Sequence, residues 1–157
     1  MQATNNILLI RPASFGFNSQ TETSNTFQKQ IAASETDTME KARAEFDAVA
    51  AQLKSTGINV IVFEDHEFPA KPDAVFPNNW ISFHPDGTVI LYPMQSCNRR
   101  PERRKDIIDT LGKEFFISRI LDLTGYEKEN KFLEGTGSIV FDHIHKLAYS
   151  CLSPRTD

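Results

Sequence analysis

Two segments of the chain carry side chains suited to gripping a small polar ligand. Asp73-Ala74-Val75-Phe76-Pro77-Asn78-Asn79-Trp80 sets a carboxylate and two carboxamides before an apolar strand. Phe132-Leu133-Glu134-Gly135-Thr136-Gly137-Ser138 sets a carboxylate and two glycines before another. Asp73, Asn78, Asn79 and Glu134 supply acceptors and amide donors, a set that suits a ligand with several N–H groups and a carbonyl. Polar residues at the mouths of equivalent strands converge on one end of a repeated assembly, where a pocket can form. Asp and Asn beside Pro also make ordinary turns, so residue types alone leave both readings open. Gly135-Thr136-Gly137 belongs to no GxGxxG or Walker pattern, which argues against a nucleotide loop.

The other reactive side chains give weaker signals. Cys97 precedes Asn98-Arg99-Arg100, whose positive charge favours a thiolate, although an ordinary cysteine is the simpler reading. Cys151 alternates within a strand and reads as core. His66 and His84 lie at strand ends, and His143 and His145 in a turn. Two alternating histidines without a third ligand do not define a metal site, and no cofactor is expected. The basic run Arg99–Lys105 reads as a solvated helix face.

The elements that carry these residues follow from periodicity. Asn6–Ile10 is a short buried strand. Arg11–Asp37 is a long polar loop, with a short helix near Thr26–Ala32 and isolated Phe27 and Ile31. A helix runs from about Thr38 to Ser55, with Met39, Ala42, Phe46, Val49, Ala50 and Leu53 on one face. Thr36 or Asp37 caps it and Gly57 ends it. Ile58–Phe63 is a strand. Trp80–His84 and Val89–Tyr92 form a hairpin turning at Pro85-Asp86-Gly87-Thr88. Pro101 suits the first position of a second helix, whose apolar side is Ile107, Ile108, Leu111 and Phe115. Phe116–Leu123 is a strand and Thr124–Lys131 a charged loop. Gly137–Asp142 and Lys146–Leu152 form a second hairpin.

This order repeats. Shifting the chain by 58 residues lays Lys41–Leu53 over Arg99–Leu111, Phe63 over Leu121, Ile81 over Ile139, Phe83 over Phe141 and Val89 over Leu147. A unit of this kind cannot bury its apolar faces alone and must pack against copies of itself. The chain holds about two and a half units.

Composition sets outer bounds. The 157 residues are 39% hydrophobic and 24% charged, with twelve Phe, which is globular rather than disordered. No apolar run approaches the ~20 residues of a membrane span, and the N-terminus reads as no signal peptide. A net charge of −4 argues against wholesale phosphate binding, so neither nucleic acid nor membrane is an expected partner. Two cysteines outside any CxxC pair point to a reduced, cytoplasmic protein.

The chain resembles the N-terminal half of the guanidino-group-modifying superfamily: arginine deiminases, dimethylarginine dimethylaminohydrolases and amidinotransferases. The resemblance spans nearly the whole chain. It rests on Arg11-Pro12, the loop with Phe15-Gly16-Phe17-Asn18, the helix Glu40–Leu53 and the Asp73–Trp80 run. It also rests on Asn98-Arg99-Arg100-Pro101-Glu102-Arg103, Leu133-Glu134-Gly135-Thr136-Gly137 and Ser153-Pro154-Arg155-Thr156. The Phe-Pro-Asn-Asn-Trp and Leu-Glu-Gly-Thr-Gly runs are its most specific parts. Within the superfamily the chain looks most like the amidinotransferase or citrulline utilisation hydrolase branch.

The resemblance implies an α/β fold, the pentein or α/β-propeller of five pseudo-symmetric ββαβ units. Residues 1–157 would be the N-terminal part of one catalytic domain. It implies attack of a Cys thiolate on a guanidinium or ureido carbon, departure of an amine, and hydrolysis of the adduct with a His moving protons. Carried over by position, Glu134 contacts the headgroup and orients the catalytic His. Asp73 binds the polar end of the substrate, and Phe76 flanks its alkyl stem. Arg103, and next to it Arg99, would bind the carboxylate of an amino acid. Asn79 stands where guanidine-binding members carry Asp, and Gly137 replaces an acidic residue. Both changes lower the site's negative charge and favour a neutral ureido substrate such as citrulline over arginine.

Neither cysteine and none of the four histidines matches the family's nucleophile or proton shuttle, which lie on later repeats. Two function classes follow. One is a C–N hydrolase of which this chain is an inactive part; the other is a non-catalytic remnant that binds an amino acid or only assembles. Strand edges and apolar surface left uncovered should make the isolated chain self-associate.

Overall fold

The computed structural model describes residues 3–22, 28 and 34–157. They form two compact units, residues 3–77 and 78–157. The short helix expected near Thr26–Ala32, with Phe27 and Ile31, lies outside the described residues.

In the first unit, β1 (Asn6–Arg11) and β2 (Asn59–Glu64) pair in parallel, Ile7 opposite Val60 and Ile10 opposite Phe63. Parallel neighbours need a long crossover, and α1 (Glu35–Ser55) provides it. The helix starts at Glu35, three residues before the expected Thr38, so neither Thr36 nor Asp37 caps it. Ser34 is the cap, its hydroxyl accepting from the Asp37 N–H at 3.1 Å. Such a bond contributes about 1 kcal/mol. Ala50 is buried and Met39, Ala42, Phe46 and Leu53 are partly covered, but Val49 is 52% exposed. A two-stranded sheet is too narrow to cover the whole predicted stripe. The Arg11 guanidinium forks onto Asp47 at 2.7 and 2.8 Å, tying β1 to α1 and holding the Asp47 carboxyl below the usual carboxylate range.

In the second unit, β3 (Ile81–Phe83) and β4 (Thr88–Leu91) make the predicted antiparallel hairpin, with Asp86 accepting from the Thr88 N–H. β4 also pairs in parallel with β5 (Arg119–Asp122). Between them come a 3-10 helix at Cys97–Glu102 and α2 (Lys105–Leu111). Pro101 therefore does not start α2. It lies within the 3-10 helix, and extended backbone at Arg103 and Arg104 separates the two. Residues Thr124–Glu129, expected as loop, form a further 3-10 helix.

A one-turn helix, α3 (Gly135–Ser138), replaces the start of the predicted sixth strand. β6 (Ile139–Asp142) and β7 (Leu147–Ser150) then pair antiparallel. Trp80, Val89, Tyr92, Met94 and Ile107 fill the core of this unit, with Ile108 and Leu111 beside them on α2. Cys151 is exposed rather than core, because it lies just past β7, whose four residues are all exposed.

β3, β4, α2 and β5 make a complete ββαβ unit, and their sheet has the order β3-β4-β5. β1, α1 and β2 supply the βαβ part of another, and β6–β7 the opening hairpin of a third. The 58-residue shift maps β2 onto β5, β3 onto β6 and β4 onto β7, but finds no counterpart for β1. The helices differ, with 21 residues in α1 against seven in α2.

Candidate functional site

Glu134 precedes α3 and has no exposed surface. A buried carboxylate is costly unless paired and hydrogen-bonded, and this one is both. Its Oε2 accepts from Asn79 Nδ2 at 3.0 Å and from Arg155 Nη1 at 3.3 Å, with Arg99 Nη1 at 3.7 Å. Its Oε1 accepts from the Gln95 backbone N–H at 3.2 Å. The Arg155 carbonyl in turn accepts from the Glu134 N–H, so backbone and side chain are fixed together.

Arg99 is buried as well. Its guanidinium forks onto Glu102, Nε and Nη2 each donating at 2.9 Å. The pair Arg99–Glu102 thus positions a cation beside Glu134. Arg103 turns the other way. Its guanidinium forks onto Glu127, which also accepts from the Met94 N–H at 2.8 Å and faces Arg100 Nε at 3.3 Å. Of the two arginines read as carboxylate binders, Arg99 lies at Glu134 and Arg103 at Glu127.

Asn79 ends a 3-10 turn at Pro77–Asn79 and is buried, while the Asn78 side chain is exposed. With Nδ2 engaged by Glu134, Asn79 keeps Oδ1 as an acceptor. Gly135 has φ +36°, and a Cβ there would lie 2.2 Å from the Asn78 carbonyl oxygen, so only glycine fits that approach.

Asp73 and Phe76 belong to the first unit. Asp73 is buried and its Oδ2 accepts from Asn18 Nδ2 at 2.6 Å, while Phe76 is 47% exposed. Gln28 holds the Asn18 backbone through both ends of its own amide, at 2.8 and 3.2 Å. Nearby in sequence, Lys71 Nζ lies 3.2 Å from Asp65 Oδ1, both side chains buried. Lys71 donates to the carbonyls of His66 and Pro69, whereas the Asp65 oxygens find no hydrogen-bond partner among the described residues.

A cavity of about 470 Å³ opens in the second unit, lined by Gln95, Cys97, Arg100, Phe132 and Asp157 among others. Gln95 joins it to the Glu134 cage, since its backbone N–H holds Glu134 and the residue lines the cavity. Cys97 is exposed. His84, Phe141 and His143 form an aromatic cluster with centroids 5.2 to 5.7 Å apart. His145 bonds Asp142 in the adjacent turn. No group of three metal-ligating side chains occurs among the described residues, nor does a helix long and apolar enough to cross a membrane.

Sequence reading missed Arg155, Gln95, Glu102, Asn18 and the Asp65–Lys71 pair. Arg155 stands in the Ser-Pro-Arg-Thr run, but nothing in its spacing ties it to a carboxylate 21 residues earlier. Glu102 carries the one local signal, an acid three residues after Arg99.

Solved structures share this architecture. Dimethylarginine dimethylaminohydrolase from Pseudomonas aeruginosa, a cysteine-to-serine mutant complexed with citrulline, superposes with a TM-score of 0.65 at 18% identity. The match covers 97% of this chain and 51% of that one. The N-terminal domain of ArgZ, an arginine dihydrolase from cyanobacteria, in a mutant bound to its substrate, gives 0.65 at 17% identity, covering 97% and 50%. A second mutant of that domain, covalently bound to a reaction intermediate, gives 0.61 at 17%, covering 92% and 47%. The chain spans about half the length of the Pseudomonas enzyme and of the ArgZ N-terminal domain, and 18% of the ArgZ chain. No curated protein sequence matches it. The fold is that of the guanidino-group-modifying, or pentein, class. A family model described as N,N dimethylarginine dimethylhydrolase, eukaryotic, matches residues 11–157, and the chain belongs to that family of hydrolytic enzymes.

Proposed function

We propose that this chain is the substrate-binding part of a hydrolase that cleaves a non-peptide C–N bond of a ureido or guanidino amino acid, with citrulline favoured over arginine. The observation that carries this reading is the Asn79–Glu134 hydrogen bond inside a charge-balanced cage. Glu134 already faces Arg155 at 3.3 Å and Arg99 at 3.7 Å, so its negative charge is matched before any substrate arrives. A guanidinium entering beside Asn79 would bring a positive charge with no counter-ion of its own. A ureido group brings none, and the cost of burying an unpaired charge favours it. Asn79 Oδ1 accepts a headgroup N–H. Asp73 serves the polar end of the substrate, Phe76 its stem and Arg103 its carboxylate, while Arg99 stays paired in the Glu134 cage.

In this reading a Cys thiolate attacks the headgroup carbon, ammonia or an amine leaves, and a His passes protons while water hydrolyses the adduct. Both residues come from outside residues 1–157, so the chain alone has no turnover. The covalently bound intermediate of the ArgZ domain supports the covalent route, and the citrulline complex of the Pseudomonas enzyme supports the reading that a site of this fold accommodates a ureido group. The test is ammonia release by the intact protein that carries this chain, given L-citrulline or L-arginine at equal concentration. Citrulline should be consumed faster, and faster turnover of arginine would sink the proposal.

A further inference from the structure

The 58-residue repeat sets Gly137 over Asn79, so the two occupy equivalent positions at the mouths of successive strands. The structure brings them together. A Cβ on Gly137 would lie 2.7 Å from Asn79 Nδ2, 3.1 Å from its Cγ and 3.2 Å from its Oδ1. The whole carboxamide therefore lies against the face of Gly137 that a side chain would occupy. Asn79 cannot readily retreat. It is buried, and its Nδ2 is committed to Glu134 at 3.0 Å. Gly137 has no positive φ to explain its identity, unlike Gly135. The space it leaves is its contribution.

We propose that Gly137 is a positioning residue that determines headgroup specificity by admitting the Asn79 carboxamide against Glu134. Any larger residue at 137 displaces Asn79, releases Glu134 Oε2 from its amide donor and removes Oδ1 from the place where it meets the substrate. In this chain positions 79 and 137 thus act as one site, the glycine leaving the space that the Asn79 carboxamide fills. This inference rests on the reading of Asn79 as the group that faces the substrate headgroup.

The test is a double-variant cycle in the intact protein with Gly137→Ala, Asn79→Ala and both together. Two readouts are followed: the side-chain amide NMR resonance of Asn79, and kcat and KM for citrulline and arginine. Gly137→Ala should shift the Asn79 amide resonance away from its carboxylate-bonded position. It should also lower the citrulline-to-arginine ratio of kcat/KM about tenfold or more, the worth of one hydrogen bond to a charged group. Asn79→Ala should lower it as much, and the double variant should be no worse than Asn79→Ala alone. If Gly137→Ala does not fold by itself, it should fold in the Asn79→Ala background, where the carboxamide in its way is gone. An unmoved resonance, multiplying effects in the double variant, or failure to fold even in that background would overturn the inference. A shifted resonance and coupled effects, in a protein that turns over neither substrate, would instead overturn the hydrolase reading and leave the Gly137–Asn79 coupling standing.

Discussion

The side-chain amide of Asn79 donates to Glu134 Oε2 at 3.0 Å, joining the mouths of two strands 55 residues apart in sequence. The bond does two things. It satisfies a carboxylate that has no contact with water, and it fixes which end of the Asn79 amide remains for a ligand. A neutral side chain at 79 also keeps the cage electrically balanced, with Arg99, Arg155, Glu102 and Glu134 supplying two charges of each sign.

Replacing Asn79 by Asp removes that donor and sets a second carboxylate against Glu134. Two carboxylates in one site raise the pKa of one of them. The folded-state pKa then exceeds the unfolded value, so the loss of stability is fullest at high pH and is relieved as pH falls through the raised pKa. Urea unfolding at pH 8 should show Asn79→Asp less stable by about 1–3 kcal/mol, with much of the gap closed at pH 5. A gap of the same size at both pH values would contradict the assignment.

Glu134→Ala leaves Arg99 and Arg155 without their shared anion. Arg99 is the more sensitive, being almost fully buried against 26% side-chain exposure for Arg155. A cost of about 3–5 kcal/mol is expected in denaturant unfolding. A smaller cost for Arg155→Ala would follow from its exposure. A cost for Arg155→Ala as large as that for Glu134→Ala would mean that Arg155, not Arg99, carries the cage.

Among the described residues, Lys71 is the counter-charge paired with buried Asp65. Lys71→Met should destabilise the protein by about 3–5 kcal/mol, and adding Asp65→Leu should recover a large part of it, because the stranded charge is then gone. If the double variant unfolds as easily as the single one, the pair is not coupled in this way.

Much of this framework is legible in the sequence. Alternating apolar residues around Pro85-Asp86-Gly87-Thr88 specify a hairpin locally, and the 58-residue repeat finds its counterpart at Ile139–Ser150. The site is legible only in part. Asn79 and Glu134 stand out by type and position, but their bond depends on two chain segments meeting. Arg155 and Asn18 are invisible for the same reason, since each finds its carboxylate only in the folded chain. Local signals also mislead where tertiary contacts win. Arg103 turns to Glu127 and takes extended backbone, so the helix that Pro101 should open begins later at Lys105. Cys151 follows an alternating strand whose four residues are all exposed.

His84 provides a pH marker. Burial, and then the neighbouring His143, hold its pKa below the ordinary histidine value, against an opposing pull from Asp86. With the folded pKa below the unfolded one, the His84 contribution is full above about pH 6.5 and is lost as pH falls through the folded value. An NMR titration should put its midpoint below that of a free histidine, with the Phe141 ring signals moving in step. A midpoint at or above the free value would contradict the packing of the cluster.

β7 is exposed along its whole length, and Val140, Tyr149 and Leu152 are 69%, 56% and 86% exposed. An apolar two-stranded sheet with open edges favours pairing with other chains. Sedimentation velocity of the isolated chain should show a coefficient that rises with concentration, and Val140→Lys with Tyr149→Lys should flatten it. A monomer at every concentration would contradict this.

The most direct measurement is the ratio of citrulline to arginine turnover, followed as ammonia release, in the intact protein and in its Asn79→Asp variant. The account predicts that the native protein prefers citrulline and that the aspartate, by supplying the missing counter-charge, moves the preference toward arginine. A native protein that prefers arginine, or a preference that Asn79→Asp leaves unchanged, would contradict it.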